Sequence, residues 1–283
     1  MSAKAVLRCR LCAAIGLAVS LPVFSQVPAV RSGAAAAIEI DGQTGDWSGS
    51  SFILDAKSGA EFAVQNNGQD LYILLVLRKP ETRVSLKSTG ITVLARAPGA
   101  KTSRGVLFLE RAVPAETYIR WKENQGELMI EEEKAKLRET ARHDLCFAFA
   151  VGAGGSTYGP LRRLKDSEPP VGAVSESATE TVCELRIPLQ PPDRVPGGLG
   201  ASPGETIRVS FEWGGASRKF LSPKTTVEPS ALEQMGDVSG SGVTWAQEFL
   251  DAFDSMSRPT RGTKKFSFAV DLRLSEMSPN PNS

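Results

Sequence analysis

NGQDLYILLVL, from Asn67 to Leu77, decides how the rest of the chain is read. Asn67-Gly68 is a hairpin signal, because a tight two-residue turn of the primed type needs positive φ at both positions. The run that follows, Leu71 to Leu77, is apolar on both faces. A strand of that kind sits in the middle of a sheet that is covered on both sides. Before the turn, Ala60 to Val64 alternates and supplies the other arm.

Working outward, the same signals recur. Ile91–Ala95 and Val106–Leu109 read as strands, as do Leu145–Val151 and Thr181–Leu189. In Thr206–Trp213 the side chains of Ile207, Val209, Phe211 and Trp213 share one face. A last strand lies around Phe266–Leu272. Between them, Leu128–Arg142 lacks Gly and Pro, is rich in Glu, Lys, Ala and Leu, and reads as one inserted helix. Its apolar stripe of Ile130, Leu137 and Ala141 is expected to cover the second face of the Leu71–Leu77 sheet. Residues 152–170 read as a long loop, and residues 214–264 as an excursion with a helical stripe near 243–256 (Ala246, Phe249, Leu250, Phe253). Many strands, one or two helices and no βαβ alternation predict a mostly β fold. The architecture is an antiparallel β-sandwich of jelly-roll or immunoglobulin-like type, in one domain from 37 to 274.

The first 25 residues read as a secretory signal peptide. Lys4, Arg8 and Arg10 precede an apolar run from Leu11 to Leu21, and Val23-Phe24-Ser25 offers a cleavage site after Ser25. The run is short of the roughly 20 residues of a spanning helix, so no transmembrane segment is expected after cleavage. Losing those three cations takes the formal net charge of +1 to −2. Neither value, nor any charge block, suits nucleic acid. Residues 26–36 read as a small-residue linker and 275–283 as a disordered tail. The predicted location is secreted or periplasmic.

Without the leader, two cysteines remain, Cys146 and Cys183. Leu145, Phe147, Phe149 and Val151 share a strand face that excludes Cys146, whereas Cys183 shares one with Leu185 and Ile187. If both apolar faces point to one core, the sulfurs project to opposite sides and no disulfide forms.

Catalytic chemistry is not visible. His143 is the one histidine, and it adjoins the predicted end of a helix, where a macrodipole favours it. There is no GxSxG, P-loop or HExxH motif, and no nucleophile–base set, so the chain is not expected to be an enzyme. Asp41 and Asp46 flank a glycine-containing turn and could offer oxygens to calcium. Stabilising that turn is the other role open to them.

Four pieces in order resemble the family 9 carbohydrate-binding modules and the wider DOMON-like sandwiches. They are Ile38-Glu39-Ile40-Asp41-Gly42 with Asp46-Trp47, Asn67-Gly68-Gln69-Asp70-Leu71-Tyr72, Glu184-Leu185-Arg186-Ile187-Pro188-Leu189, and Phe211-Glu212-Trp213. The resemblance spans most of residues 38–213. It implies a non-catalytic sandwich in which Trp47 packs inward, carbohydrate as ligand, and calcium as a bound ion. Stacking a pyranose requires a flat exposed ring. The rings not committed to an apolar strand face are Trp121, Tyr118 and Tyr158. The competing expectation is a structural or protein-interaction domain of the cell envelope, with cell-envelope proteins as partners and no small-molecule ligand.

Overall fold

The computed structural model describes residues 30–31, 33–34, 38–152, 157–161, 168–215 and 263–276. The expected signal peptide, the expected helical stripe near 243–256 and the tail beyond 276 lie outside them. In chain order the strands begin with β1 (Val30–Arg31), β2 (Gly33–Ala34), β3 (Ile53–Asp55), β4 (Ala60–Asn66) and β5 (Asp70–Leu77). Helix α1 (Pro80–Thr89) leads to β6 (Ile91–Arg96) and β7 (Arg104–Pro114), then α2 (Ala115–Asn124) and α3 (Glu131–Arg138). The remaining strands are β8 (Arg142–Val151), β9 (Thr157–Pro160), β10 (Val171–Glu176), β11 (Thr181–Pro188), β12 (Thr206–Gly215) and β13 (Thr263–Arg273).

They form two sheets. Sheet A has the order β1-β13-β12-β6-β7-β8-β9, and sheet B the order β10-β11-β5-β4-β2 with β3 also on β4. Every described pairing is antiparallel except β1 with β13 and β2 with β4. The predicted β-sandwich is therefore correct. The linker residues Val30–Arg31 and Gly33–Ala34 contribute one short parallel strand to each sheet. No helix among the described residues is long and apolar enough to cross a membrane.

The turn forms one residue further on than Asn67-Gly68: the Asn67 amide donates to the Asp70 carbonyl at 3.2 Å, and Gly68 and Gln69 are the two residues between. Gly68 has φ +87°, and among the described residues no non-glycine residue has positive φ. Asn67 also uses its side chain: Oδ1 accepts from the amides of Gln69 (2.9 Å) and Asp70 (2.7 Å) and braces the turn. Strand β5 lies between β11 and β4, and Leu71 to Leu77 are all buried.

Each face of β5 has its own cover. Leu71, Ile73, Leu75 and Leu77 enter the core between the sheets with Phe62, Phe108, Leu185 and Phe211. On the other side Tyr72, Leu74 and Val76 meet Trp47, Ile38 and Ile40. The cover is thus the irregular opening segment, with its single 3-10 turn at Gly45–Trp47, and not the helix expected from 128–142. That helix is shorter, Glu131–Arg138, buries none of its residues, and lies against α2. Ile130 of the expected stripe is 60% exposed. The face it was to cover is already filled.

The opening segment is fastened by one carboxylate. Glu184 on β11 is fully buried, and its Oε1 accepts from Trp47 Nε1 at 2.6 Å. Its Oε2 accepts from the amides of Asp41 and Gly42, each at 3.0 Å. Burial pushes this carboxyl above its ordinary range, and the three donors pull it back. Gly42, at φ +79°, lies so close to β10 that a Cβ would stand 3.2 Å from the Ser175 nitrogen. Ser175 Oγ donates to the Gly42 carbonyl at 2.6 Å.

Removing this acceptor leaves three donors without it, two of them buried. Glu184→Ala is expected to lower stability by about 2–4 kcal/mol. Glu184→Gln, which keeps one acceptor oxygen, should cost less. Urea unfolding of the two variants measures both, and midpoints equal to wild type would show that the opening segment is held by its apolar contacts alone.

Candidate functional site

Sheet A also buries its outer face, at β7 and β8. Leu107, Leu109, Phe147, Phe149 and Val151 form a second apolar cluster there. Helix α2 lies over it. Pro114 ends β7, Glu116 falls in the first helical turn and Lys122 in the last, the charge order that a helix dipole favours. Ile119 is buried, and Tyr118 and Trp121 pack half-buried on the cluster.

This places two of the three expected ligand rings side by side, one turn apart on one helix. Trp121 belongs to α2, a helix absent from the sequence reading. It meets the Phe147 ring edge-on at 5.3 Å between centroids. The Tyr118 ring is engaged twice, stacked on His143 at 4.7 Å and with Lys122 Nζ 5.6 Å from its centroid. Tyr158 is on β9, the strand beside β8, and its side chain lies outside the described residues. His143 is a strand residue whose Nε2 is 2.8 Å from the Leu137 carbonyl in the last turn of α3. It thus holds a helix C-terminus from a neighbouring strand.

Ion pairs rim the ledge and tie α2 to α3. Arg138 pairs with Glu116 at 2.6 Å, Lys134 with Glu123 at 2.8 Å, and Lys122 with Glu127 at 2.7 Å. These are exposed and individually worth little to stability. Their effect is to fix two short helices as a single cover. Sequence reading missed α2 because its apolar residues are few. The signal that was available is Pro114 followed by Glu116, with Lys122 at the far end.

The two aspartates expected near calcium serve the opening segment. Asp46 Oδ2 accepts from the Glu39 amide at 3.0 Å and Asp41 Oδ1 from the Gln43 amide at 2.7 Å. Calcium takes six to eight oxygens, whereas no three His, Cys, Asp or Glu groups converge as a metal site among the described residues. Asp41 and Asp46 do not fit a calcium site and act as turn caps.

A separate narrow cleft opens between α1, β7 and β10. Leu86 and Phe108 line it, Lys87, Glu110 and Glu176 stand around it, and Cys183 is at its floor. It has room for little more than a water molecule, too little for a sugar ring. Glu176 is held by Lys87 at 2.6 Å and by Arg83 at 3.6 Å. Glu110 is different. Burial, and then the Asp144 carboxylate, raise its carboxyl to about 7, with Glu176 adding to the effect and Lys87 and Arg111 opposing it.

No family model matches the chain, and no curated protein is similar in sequence. Among solved structures, a carbohydrate-binding module of family 9 from Caldicellulosiruptor kristjanssonii in complex with glucose is similar. Identity is 11%, coverage 89% of this chain and 99% of that one, and the TM-score 0.35. The same module in complex with cellotriose gives 10% identity, 89% and 96% coverage, and a TM-score of 0.35. Fits this loose say nothing about the ledge.

The Glu110 carboxyl yields a pH test. Its folded value of about 7 lies above the ordinary 4.5, so the folded state holds the extra proton between those limits. Stability therefore falls as pH rises through that window, and the loss is complete above it. Urea midpoints measured from about pH 4 to 8 should decline for wild type and flatten for Glu110→Gln. The same decline in both proteins would assign it to another group.

Proposed function

We propose that this chain is an exported, non-catalytic β-sandwich that binds carbohydrate on the outer face of sheet A, with Trp121 as the stacking ring. One observation carries the choice of site. Among the described residues, Trp47 and Trp213 are 1% and 2% exposed, and Trp121 is the tryptophan that keeps part of its ring in water. A sugar presents C–H groups to such a ring and hydroxyls to its surroundings. Around Trp121 the α2–α3 rim offers carboxylates and cations for those hydroxyls. Tyr118 is the wall beside it rather than a second platform, because its ring is already stacked. Tyr158 is the further ring in this proposal, one strand beyond β8. The leader, with its cations, short apolar run and small residues around Ser25, supports export to the periplasm or the medium.

A second reading, an interaction domain of the cell envelope without a small ligand, is favoured by the turn that joins α2 to α3. Leu128 is fully exposed there and Ile130 is 60% exposed. Apolar side chains at such a tip suit a protein surface better than a sugar.

Tryptophan fluorescence titrated with a glycan panel that includes glucose and cellotriose separates the two. The expected result is a shift with at least one glycan, and at least tenfold weaker binding, about 1.4 kcal/mol, in Trp121→Ala at unchanged thermal unfolding. If no glycan shifts the spectrum, or the variant binds as wild type does, the carbohydrate reading fails and the interaction domain stands.

A further inference from the structure

Beyond the leader the chain has two cysteines, and the structure brings them to one place. The sequence expectation was that they face opposite ways. It failed because the aromatic row of β8 points outward, under α2, so that Cys146 and Ala148 point inward. Cys183 faces the same core from sheet B, fully buried, with Cys146 packed half-buried against that cluster.

The two sheets are pinched here. Cα atoms of β8 and β10, which belong to different sheets, come within 8 Å, against about 10 Å for sheets stacked face to face. Gly172 on β10 allows it: a Cβ there would stand 2.8 Å from Phe108 Cδ1 and 3.0 Å from both Cys146 Sγ and Leu185 Cδ2. Gly172 is paired with Leu185, and Val174, the next residue of β10 on the same side, is paired with Cys183. Cys146 therefore lies over the residue pair next to that of Cys183. Glu110 connects them from sheet A, since it is the ladder partner of Cys146 and stands over the cleft whose floor is Cys183.

We propose that Cys146 and Cys183 are joined by a disulfide that ties sheet A to sheet B when the chain folds in an oxidising compartment. The inference rests on the export part of the proposed function and not on its carbohydrate part. Two S–H bonds break and one S–S bond forms. The two electrons and two protons pass to the disulfide of an exchange partner, which leaves as a dithiol. Reaching the roughly 3.5–4.5 Å Cβ separation of a disulfide asks the side chains of Phe108 and Leu185, which with Cys146 fill the space beside Gly172, to give way. Timing follows from the site. Burial raises both thiols, and Glu110 adds to it, so in the folded protein they are protonated and slow to exchange. The bond closes during folding, before β10 covers the pair.

The test is oxidative refolding of the reduced, denatured full chain in glutathione and glutathione disulfide, followed by alkylation and peptide mass mapping. The expected product is a Cys146–Cys183 cross-linked peptide, lighter by two hydrogens than its reduced parts. Its unfolding midpoint should drop when a reductant is added, a response absent from the Cys146→Ser, Cys183→Ala double variant. Both thiols alkylated after oxidative refolding, or either one linked to Cys9 or Cys12, overturns the proposal. If the double variant does not fold, the wild-type peptide map decides alone. No sugar enters the assay, so its failure is distinct from failure of carbohydrate binding.

Discussion

A strand buried on both faces needs two covers, and β5 is such a strand. One cover is sheet A, across the sandwich core. The other cannot be a third sheet, because the chain has no further strands on that side among the described residues. It is made from the opening segment, Ile38 to Trp47, a stretch too short and irregular to stay in place by its own backbone bonds. The Glu184 carboxylate supplies what a ladder would have supplied, by accepting from two main-chain amides and the indole at once. A buried carboxylate is unfavourable alone and tolerable when its oxygens are filled. The segment and the carboxylate thus depend on one another.

Sheet A solves the same problem with helices. Its outer face is apolar at β7 and β8, and α2 lies across it with α3 braced behind by ion pairs. The molecule is a sandwich with an added layer on each outer surface, one irregular and one helical. The candidate ligand ring belongs to the helical layer. It rests on Phe147 because the ledge must be covered, and it is partly in water because α2 is too short to cover all of it.

Much of the fold is legible in the residues. Alternation and turn chemistry locate the main strands, and the two-faced character of Leu71–Leu77 predicts a doubly covered sheet. What alternation does not contain is which row of a strand faces which layer. On β8 the large aromatic row looks like the core row, yet it faces α2, while the smaller Cys146 and Ala148 face the other sheet. That inversion overturned the reading of the cysteines. Helix α1 was hidden for a related reason: of its buried residues only Leu86 is apolar, and Thr82 and Ser85 are buried through hydrogen bonds to Lys79 and Lys264 carbonyls. At the candidate site, Trp121 was singled out because it belongs to no strand. The stacking of Tyr118 on His143 joins residues 25 positions apart on α2 and β8, and no local pattern encodes it.

Sheet A takes its strands from distant parts of the chain. Strand β12 is flanked by β6, more than a hundred residues earlier, and by β13, which begins at Thr263. Ser275, just past β13, exchanges two hydrogen bonds with the Asn66 side chain, at 2.9 and 3.3 Å, and so fastens the last strand of one sheet to the other. A chain growing from its N-terminus can pair β4 with β5 early, because they are adjacent. It cannot complete sheet A until β13 has been made, and contacts of such long separation form slowly. Synthesis therefore produces a half-built sandwich with its second sheet open for most of the time that the chain is lengthening. Under the proposed export, that delay keeps the polypeptide threadable until its last strand has been made.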